Sequence, residues 1–322
     1  MRKPDPIETM LNHLASLREN GDRAMVTREL RAALKDRSNL VIAKAAAMAA
    51  EFRLTELIPD MVAAFERLMK NPAKLDKRCA ATFAIATALH AMDYLEPDVY
   101  LAGIRHIQME ASFGPPVDEG AKLRAQCALG LVRTRHPQAL LMVAELLADK
   151  EPHARLGATR AFASNGGDAG VMLLRYKALI GDKDPEVLAE VFAGLLSADL
   201  SNSLPFVARF MDSDDSDIAE SAVLAIASQR DAAAFEALRE KWDRSVHLDI
   251  RKVLLTGMAT MRMEIATEFL LDLLQSAPTS TAVDIVRVLA AYHRDDRVRE
   301  RIATILENGG NPEIRKAFRE SW

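Results

Sequence analysis

Apolar positions in this chain fall into a register that restarts six times. Leu123, Ala154, Val187, Ile218, Ile250 and Val283 open equivalent runs, at spacings of 31, 33, 31, 32 and 33 residues. Seven residues after each stands a small one: Gly130, Ala161, Gly194, Ala225, Gly257 or Ala290. A period of this size marks an array of helix pairs, each able to bury its apolar face only against its neighbours.

The clearest unit runs from 182 to 211. Asp184-Pro185-Glu186 supplies a cap, a proline for the first helical position and an early acid that suits the helix dipole. Val187, Val191, Phe192 and Leu195 then share one face, a turn falls at Ser197-Ala198-Asp199, and Leu204, Val207, Phe210 and Met211 mark a second helix. The unit before it uses Glu151-Pro152 and turns at 164–167. The unit after it starts at 214–217 and turns at 228–231.

Two more units span 245–276 and 278–308, and a unit over 121–147 turns at Arg135-His136-Pro137. The pattern therefore predicts regular repeats over 121–310 and a C-terminal helical tail over 311–322. Upstream it predicts two irregular repeats over 36–112, with helices near 39–52, 57–70, 74–92 and 97–110, after a divergent N-terminal cap over 1–35. Segment 113–120, Phe113-Gly114-Pro115-Pro116-Val117-Asp118 with Glu119 and Gly120, breaks the rhythm as an irregular insertion, read as a hinge or an inter-repeat loop.

At Asp182-Lys183-Asp184-Pro185-Glu186-Val187, and more loosely at Asp149-Lys150-Glu151-Pro152-His153-Ala154, the chain resembles bacterial HEAT repeats of the phycobilisome-lyase type. The resemblance is strong over about 118–307. It implies an all-α, right-handed α-solenoid of about eight to nine antiparallel helix pairs forming a single domain over 1–322, with second helices lining a concave surface. It implies no activity, since such arrays serve as scaffolds, adaptors, lyase subunits and DNA-repair proteins alike. The two N-terminal units depart from the pattern, with Asp36-Arg37-Ser38-Asn39 and Asn71-Pro72-Ala73-Lys74 in place of the Asp-Pro opening.

Composition narrows the choice of function. Hydrophobic residues make up 49% of the chain but aromatics only 5%, so close helix packing rests on Ala, Leu, Val, Ile and Met. A net charge of −4 and a pI near 6.0 disfavour nucleic acid and anionic lipid as partners. The first residues lack a secretory apolar stretch, and no run approaches the roughly 20 apolar residues of a membrane span. Cys79 and Cys127 both sit among alanines on predicted helices and read as buried thiols of a reducing cytoplasm.

Candidate chemistry is sparse. The seven histidines are scattered, with neither His-Glu pairs nor spacing that sets two ligands on one helix face, so no metal or other cofactor is expected. The glycine-rich stretch 164–170 lacks the lysine of a phosphate loop. Asp212, Asp214, Asp215, Asp217 and Glu220 lack the glycine and distal acid of a calcium loop, and read as a helix cap with surplus solvated acids. Trp242 falls at an apolar helix position, a core residue rather than a lesion-facing one.

Counting from the small residue of each unit aligns the second helices. Fifteen residues on, the ladder reads Glu145, Tyr176, Arg209, Glu240 and Asp272; one turn earlier it reads Leu141, Met172, Pro205, Glu236 and Glu268. Both ladders oppose the apolar positions and should face the groove. The expected surface is apolar around Leu141, Met172 and Tyr176, then acidic around Glu236, Glu240, Asp243, Glu268 and Asp272, with Arg209 and Arg239 interrupting it. The expectation is a non-enzymatic scaffold or adaptor binding a protein segment with an apolar anchor and basic residues. The alternatives are a nucleic-acid-associated repeat protein related to alkylbase DNA glycosylases, and a lyase-type subunit that needs a partner chain.

Overall fold

A computed structural model describes residues 5–20, 22–307, 309 and 311–322. Tertiary packing divides the chain into two units, Met1–Leu173 and Leu174–Trp322. The described residues are helical almost throughout.

In the first unit, α1 (Pro6–Asn20) and α2 (Arg23–Ala33) pack on α3 (Asn39–Glu51). Then come α4 (Ile58–Met69), the short α5 (Pro72–Leu75), α6 (Ala80–Ala91), α7 (Asp98–Gly103), α8 (Ala121–Arg133), α9 (Ala139–Leu146) and α10 (Pro152–Asn165). First helices α3, α6, α8 and α10 pack in file, and α4, α7 and α9 lie against them as second helices. Next, α11 (Gly167–Ile180) carries the division between the units.

The second unit contains α12 (Pro185–Ala198), α13 (Leu200–Ala208), α14 (Ser216–Ala227), α15 (Ala232–Arg244), α16 (Leu248–Met261), α17 (Glu264–Ser276), α18 (Thr279–Leu289), α19 (Asp296–Glu307) and α20 (Pro312–Ser321). Its first helices α12, α14, α16 and α18 again pack in file, and α20, the expected tail, adds itself to that row against α18. Each contact buries an apolar stripe that no single helix of 8 to 14 residues could hide alone. Val187, Val191, Phe192, Leu195, Ala222, Val223, Ile226, Leu254, Met258, Ile285 and Val286 are all buried.

Local chemistry sets the boundaries. Asp184, Asp199, Asp215, Asp231 and Asn311 each accept a hydrogen bond from a first-turn N–H of α12, α13, α14, α15 or α20. The small positions are places of close approach. A Cβ on Gly130 would lie 2.1 Å from the buried ring of Tyr100, and one on Gly257 would lie 3.1 Å from Val223. The register loosens toward the end: Leu123, Ala154 and Val187 are fully buried, whereas Ile218, Ile250 and Val283 are half-buried and Ala290 opens a 3-10 turn after α18.

Two predicted helices are corrected. The span 97–110 is helical only to Gly103; Met109–Glu110 (β1) pairs antiparallel with Val117–Asp118 (β2), so the irregular insertion 113–120 is mostly the tip and second strand of a hairpin. The reason is a buried polar knot. Gln108 donates from Nε2 to the Asp76 carbonyl (2.9 Å) and to Glu110 (2.6 Å), while its backbone N–H donates to Asp118 at 3.0 Å. None of those contacts is open to a residue inside a continuing helix.

The span 74–92 is broken as well. The carboxylate of buried Asp76 accepts from the N–H groups of Ala81 and Thr82 at 2.8 Å and so starts α6 afresh. Arg78 and Cys79 take left-handed φ values of 60° and 51° to make that turn. Cys79 therefore precedes a helix rather than lying within one, although it is buried as expected.

Candidate interaction surface

The aligned ladder positions fall on second helices, or for Arg209 in the 3-10 turn after one, and all but half-buried Glu236 and Glu268 are exposed. In the first unit α9 carries Leu141 and Glu145, one turn apart and both exposed, while the intervening Met142 and Val143 are buried. Leu141 is 70% exposed. On α11, Met172 and Tyr176 are 66% and 61% exposed, and Leu179 and Ile180 extend the same stripe at helical spacing. Leu174, Lys177 and Ala178 on the opposite side are buried. The last two members of this apolar stripe were missed by the ladder count, although their spacing from Tyr176 carries the signal.

In the second unit Arg209 opens a 3-10 turn after α13, with its guanidinium 5.8 Å from the ring of Phe206. Arg175 lies 5.0 Å from the same ring, so two cations share one aromatic face system. On α15 and α17, Glu240, Asp243 and Asp272 are exposed, and Glu236 and Glu268 are half-buried.

The acidic character is partly neutralised. Glu236 pairs with Arg239 at 2.9 Å, and Glu268 takes both guanidinium nitrogens of Arg301 on α19. The Arg301 hydrogen bond holds the Glu268 carboxyl below the ordinary glutamate value. In the first unit, Glu145 pairs with Arg105 at 3.3 Å. Among the described residues Glu240, Asp243 and Asp272 enter no ion pair, so they carry the face's remaining negative charge.

One of these pairs follows a rule of the repeat that pairs elsewhere share. Glu268–Arg301, Arg18–Glu51 and Arg23–Glu56 are each separated by 33 residues, one period. A search for opposite charges one repeat apart would have found these three, but not Glu145–Arg105, 40 residues apart, or the neighbouring Glu236–Arg239.

The thiols offer little to nucleophilic chemistry. Burial, with the Asp76 charge adding to it, pushes the Cys79 thiol up to about 12, and burial alone pushes that of Cys127 higher. Both stay protonated at neutral pH. Among the described residues no group of three His, Cys, Asp or Glu side chains is placed to hold a metal ion, and no helix is long and apolar enough to cross a membrane.

Fold and surface together define an α-helical repeat protein built of stacked helix pairs. No protein-family model matches the chain, and no curated protein matches it. Among solved structures it is similar to the CpcE–CpcF complex of phycocyanin lyase from Nostoc sp. PCC7120, at 16% identity over 75% of this chain and 94% of that one, with a TM-score of 0.37. It is similar to human deoxyhypusine hydroxylase in complex with glycerol, at 16% identity over 80% and 91%, with a TM-score of 0.31. A third is the Pds5–Scc1 complex, at 12% identity over 97% of this chain and 61% of that one, with a TM-score of 0.31. Likeness at this level assigns neither an activity nor a partner.

Proposed function

We propose that this chain is a non-enzymatic, cytoplasmic scaffold or adaptor whose second helices hold a partner protein. Apolar side chains of the partner seat on Leu141 of α9 and on Met172 and Tyr176 of α11. Its basic residues meet Glu240, Asp243 and Asp272 on α15 and α17, and compete with Arg239 and Arg301 for Glu236 and Glu268. Glu145 and Arg209 set polar limits to the apolar stretches. The observation that carries the reading is the α11 stripe: Met172, Tyr176, Leu179 and Ile180 stay largely exposed on one helix whose other side is packed. Contiguous exposed apolar surface of this kind marks interaction sites.

A partner recovered by affinity capture and purified supplies the test. Tyr176→Ala with Met172→Ala should weaken its binding by about tenfold or more, as loss of central anchors does. Charge reversal at Glu236, Glu240 and Asp272 together should weaken it again and flatten its salt dependence. Affinities unchanged in both sets, measured by calorimetry on folded variants, would overturn the reading.

A further inference from the structure

The second unit carries a cationic cavity on its first-helix side, apart from the second-helix face. It lies between the opening turns of α16 and α18 and has a volume of about 290 Å³. Arg251 and Lys252 line it from α16, Ser280 and Thr281 from the first turn of α18, and buried Trp242 closes one wall.

Arg251 is the unusual member. Its guanidinium carbon lies over the Trp242 ring, 4.3 Å from its centre, a cation–π contact. Its Nε is buried and meets no hydrogen-bond partner among the described residues. A buried donor left unmet in this way is costly unless something accepts from it.

The surroundings favour an anion. Helix α18 begins after Pro278 with no side-chain cap and no acid in its first turn, so its leading N–H groups and the Ser280 and Thr281 hydroxyls remain as donors. Two carboxylates also line the cavity. Asp284 is 3.9 Å from Arg287, which offsets it, and Glu313 is exposed at the start of α20. Arg251 and Lys252 therefore remain as charges without a carboxylate partner among the described residues.

We propose that this cavity binds the phosphate group of a small phosphorylated molecule. Arg251 donates two parallel hydrogen bonds to its oxygens, Lys252 offsets the second charge, and the opening turn of α18 completes the cradle. The planar fork favours a multi-oxygen anion over a halide. The cavity's size fits one phosphate with a short organic substituent.

Calorimetric titration of the full chain with inorganic phosphate and with pyrophosphate, at constant ionic strength, tests the proposal. Saturable one-to-one binding is expected, with a matching change in tryptophan fluorescence from Trp242 beneath Arg251. Arg251→Gln and Lys252→Gln should each weaken it by about tenfold, whereas Arg297→Gln on the exposed side of α19 should leave it unchanged. Arg251→Lys keeps the charge and stem but loses the fork. It should retain the melting temperature and still lose affinity, which covers the case in which the glutamine variant does not fold. Absence of saturable binding, equal affinity in the Arg251 and Lys252 variants, or binding confined to an oligonucleotide would each overturn the proposal. Because Tyr176 and Asp272 take no part, its failure leaves the proposed partner face untouched, and the reverse holds too.

Discussion

A single hydrogen at position 130 sets how closely α8 approaches α7. The Tyr100 ring fills the space a side chain would need, and Tyr100 is itself fixed, fully buried with its hydroxyl donating to the Tyr94 carbonyl at 3.1 Å. Gly103 repeats the arrangement one turn away, where an added Cβ would lie 2.4 Å from the sulfur of Cys127. Neither ring nor thiol can retreat without disturbing the other. Gly130→Ala should therefore destabilise the first unit by about 1–3 kcal/mol, the usual cost of overpacking, despite alanine's better helix propensity. Urea unfolding checks this. A stability equal to or above the parent's would mean that α7 can slide away at little cost.

The β1–β2 hairpin shows how an element with almost no apolar anchor is held. Phe113 at its tip is fully exposed and Met109 and Val117 largely so, so its hold must come from its base. There Arg124, itself buried, donates to Asp118 at 2.8 Å, to Asp149 through two bonds of 2.9 Å, and to the His106 carbonyl at 2.8 Å. Burial raises the Asp118 carboxyl, but the N–H groups of Gln108 and Gly120 and the Arg124 guanidinium outweigh it, and the net value lies below the ordinary aspartate range. The native carboxylate thus holds its proton less tightly than the unfolded one. Its stabilisation is complete above the unfolded value, about pH 4, and is lost as pH falls through the lower native value. Protection of the Gln108 and Gly120 amides, measured against their intrinsic exchange rates at each pH, should fall on acidification below about pH 4, and Asp118→Asn should remove that dependence. Arg124→Met, which leaves buried acids unpaired, should cost about 3–5 kcal/mol.

The same element marks the limit of what the sequence told. Helix pairs, their turns and their caps were readable because Asp184, Asp215 and Asp231 act on amides two or three residues away. The hairpin was not, because Gln108 answers to a carbonyl 32 residues back, and the apolar run through Ile104 and Ile107 mimics a helix. For the candidate surface, exposure of the ladder followed from counting along the repeat. Which acids remain unpaired followed only in part, because Glu268 is matched by Arg301 one period on, whereas Glu145 is matched by Arg105 in the turn after α7, off the period.

At the scale of the whole chain, nearest-neighbour packing governs how damage spreads. Within each unit every first helix touches the first helices beside it in the row, and α9, α13, α15 and α17 each touch their own first helix and the next. With the stabilising contacts this local, the free energy approximates a sum of repeat and interface terms, and opening one interface need not open distant ones. Gly130→Ala strains α8 against α7, so its effect should appear first at α7, α8 and their neighbours α6 and α10. Native-state hydrogen exchange resolves this helix by helix: protection in α7 and α8 should fall in the variant, while α16, α18 and α20 keep the parent's values. A globular core would instead lower every protected amide together, since its slowest exchange follows global unfolding. Uniform loss of protection in the first helices of both units would show that they unfold as one cooperative body, and the additive account would then have to be abandoned.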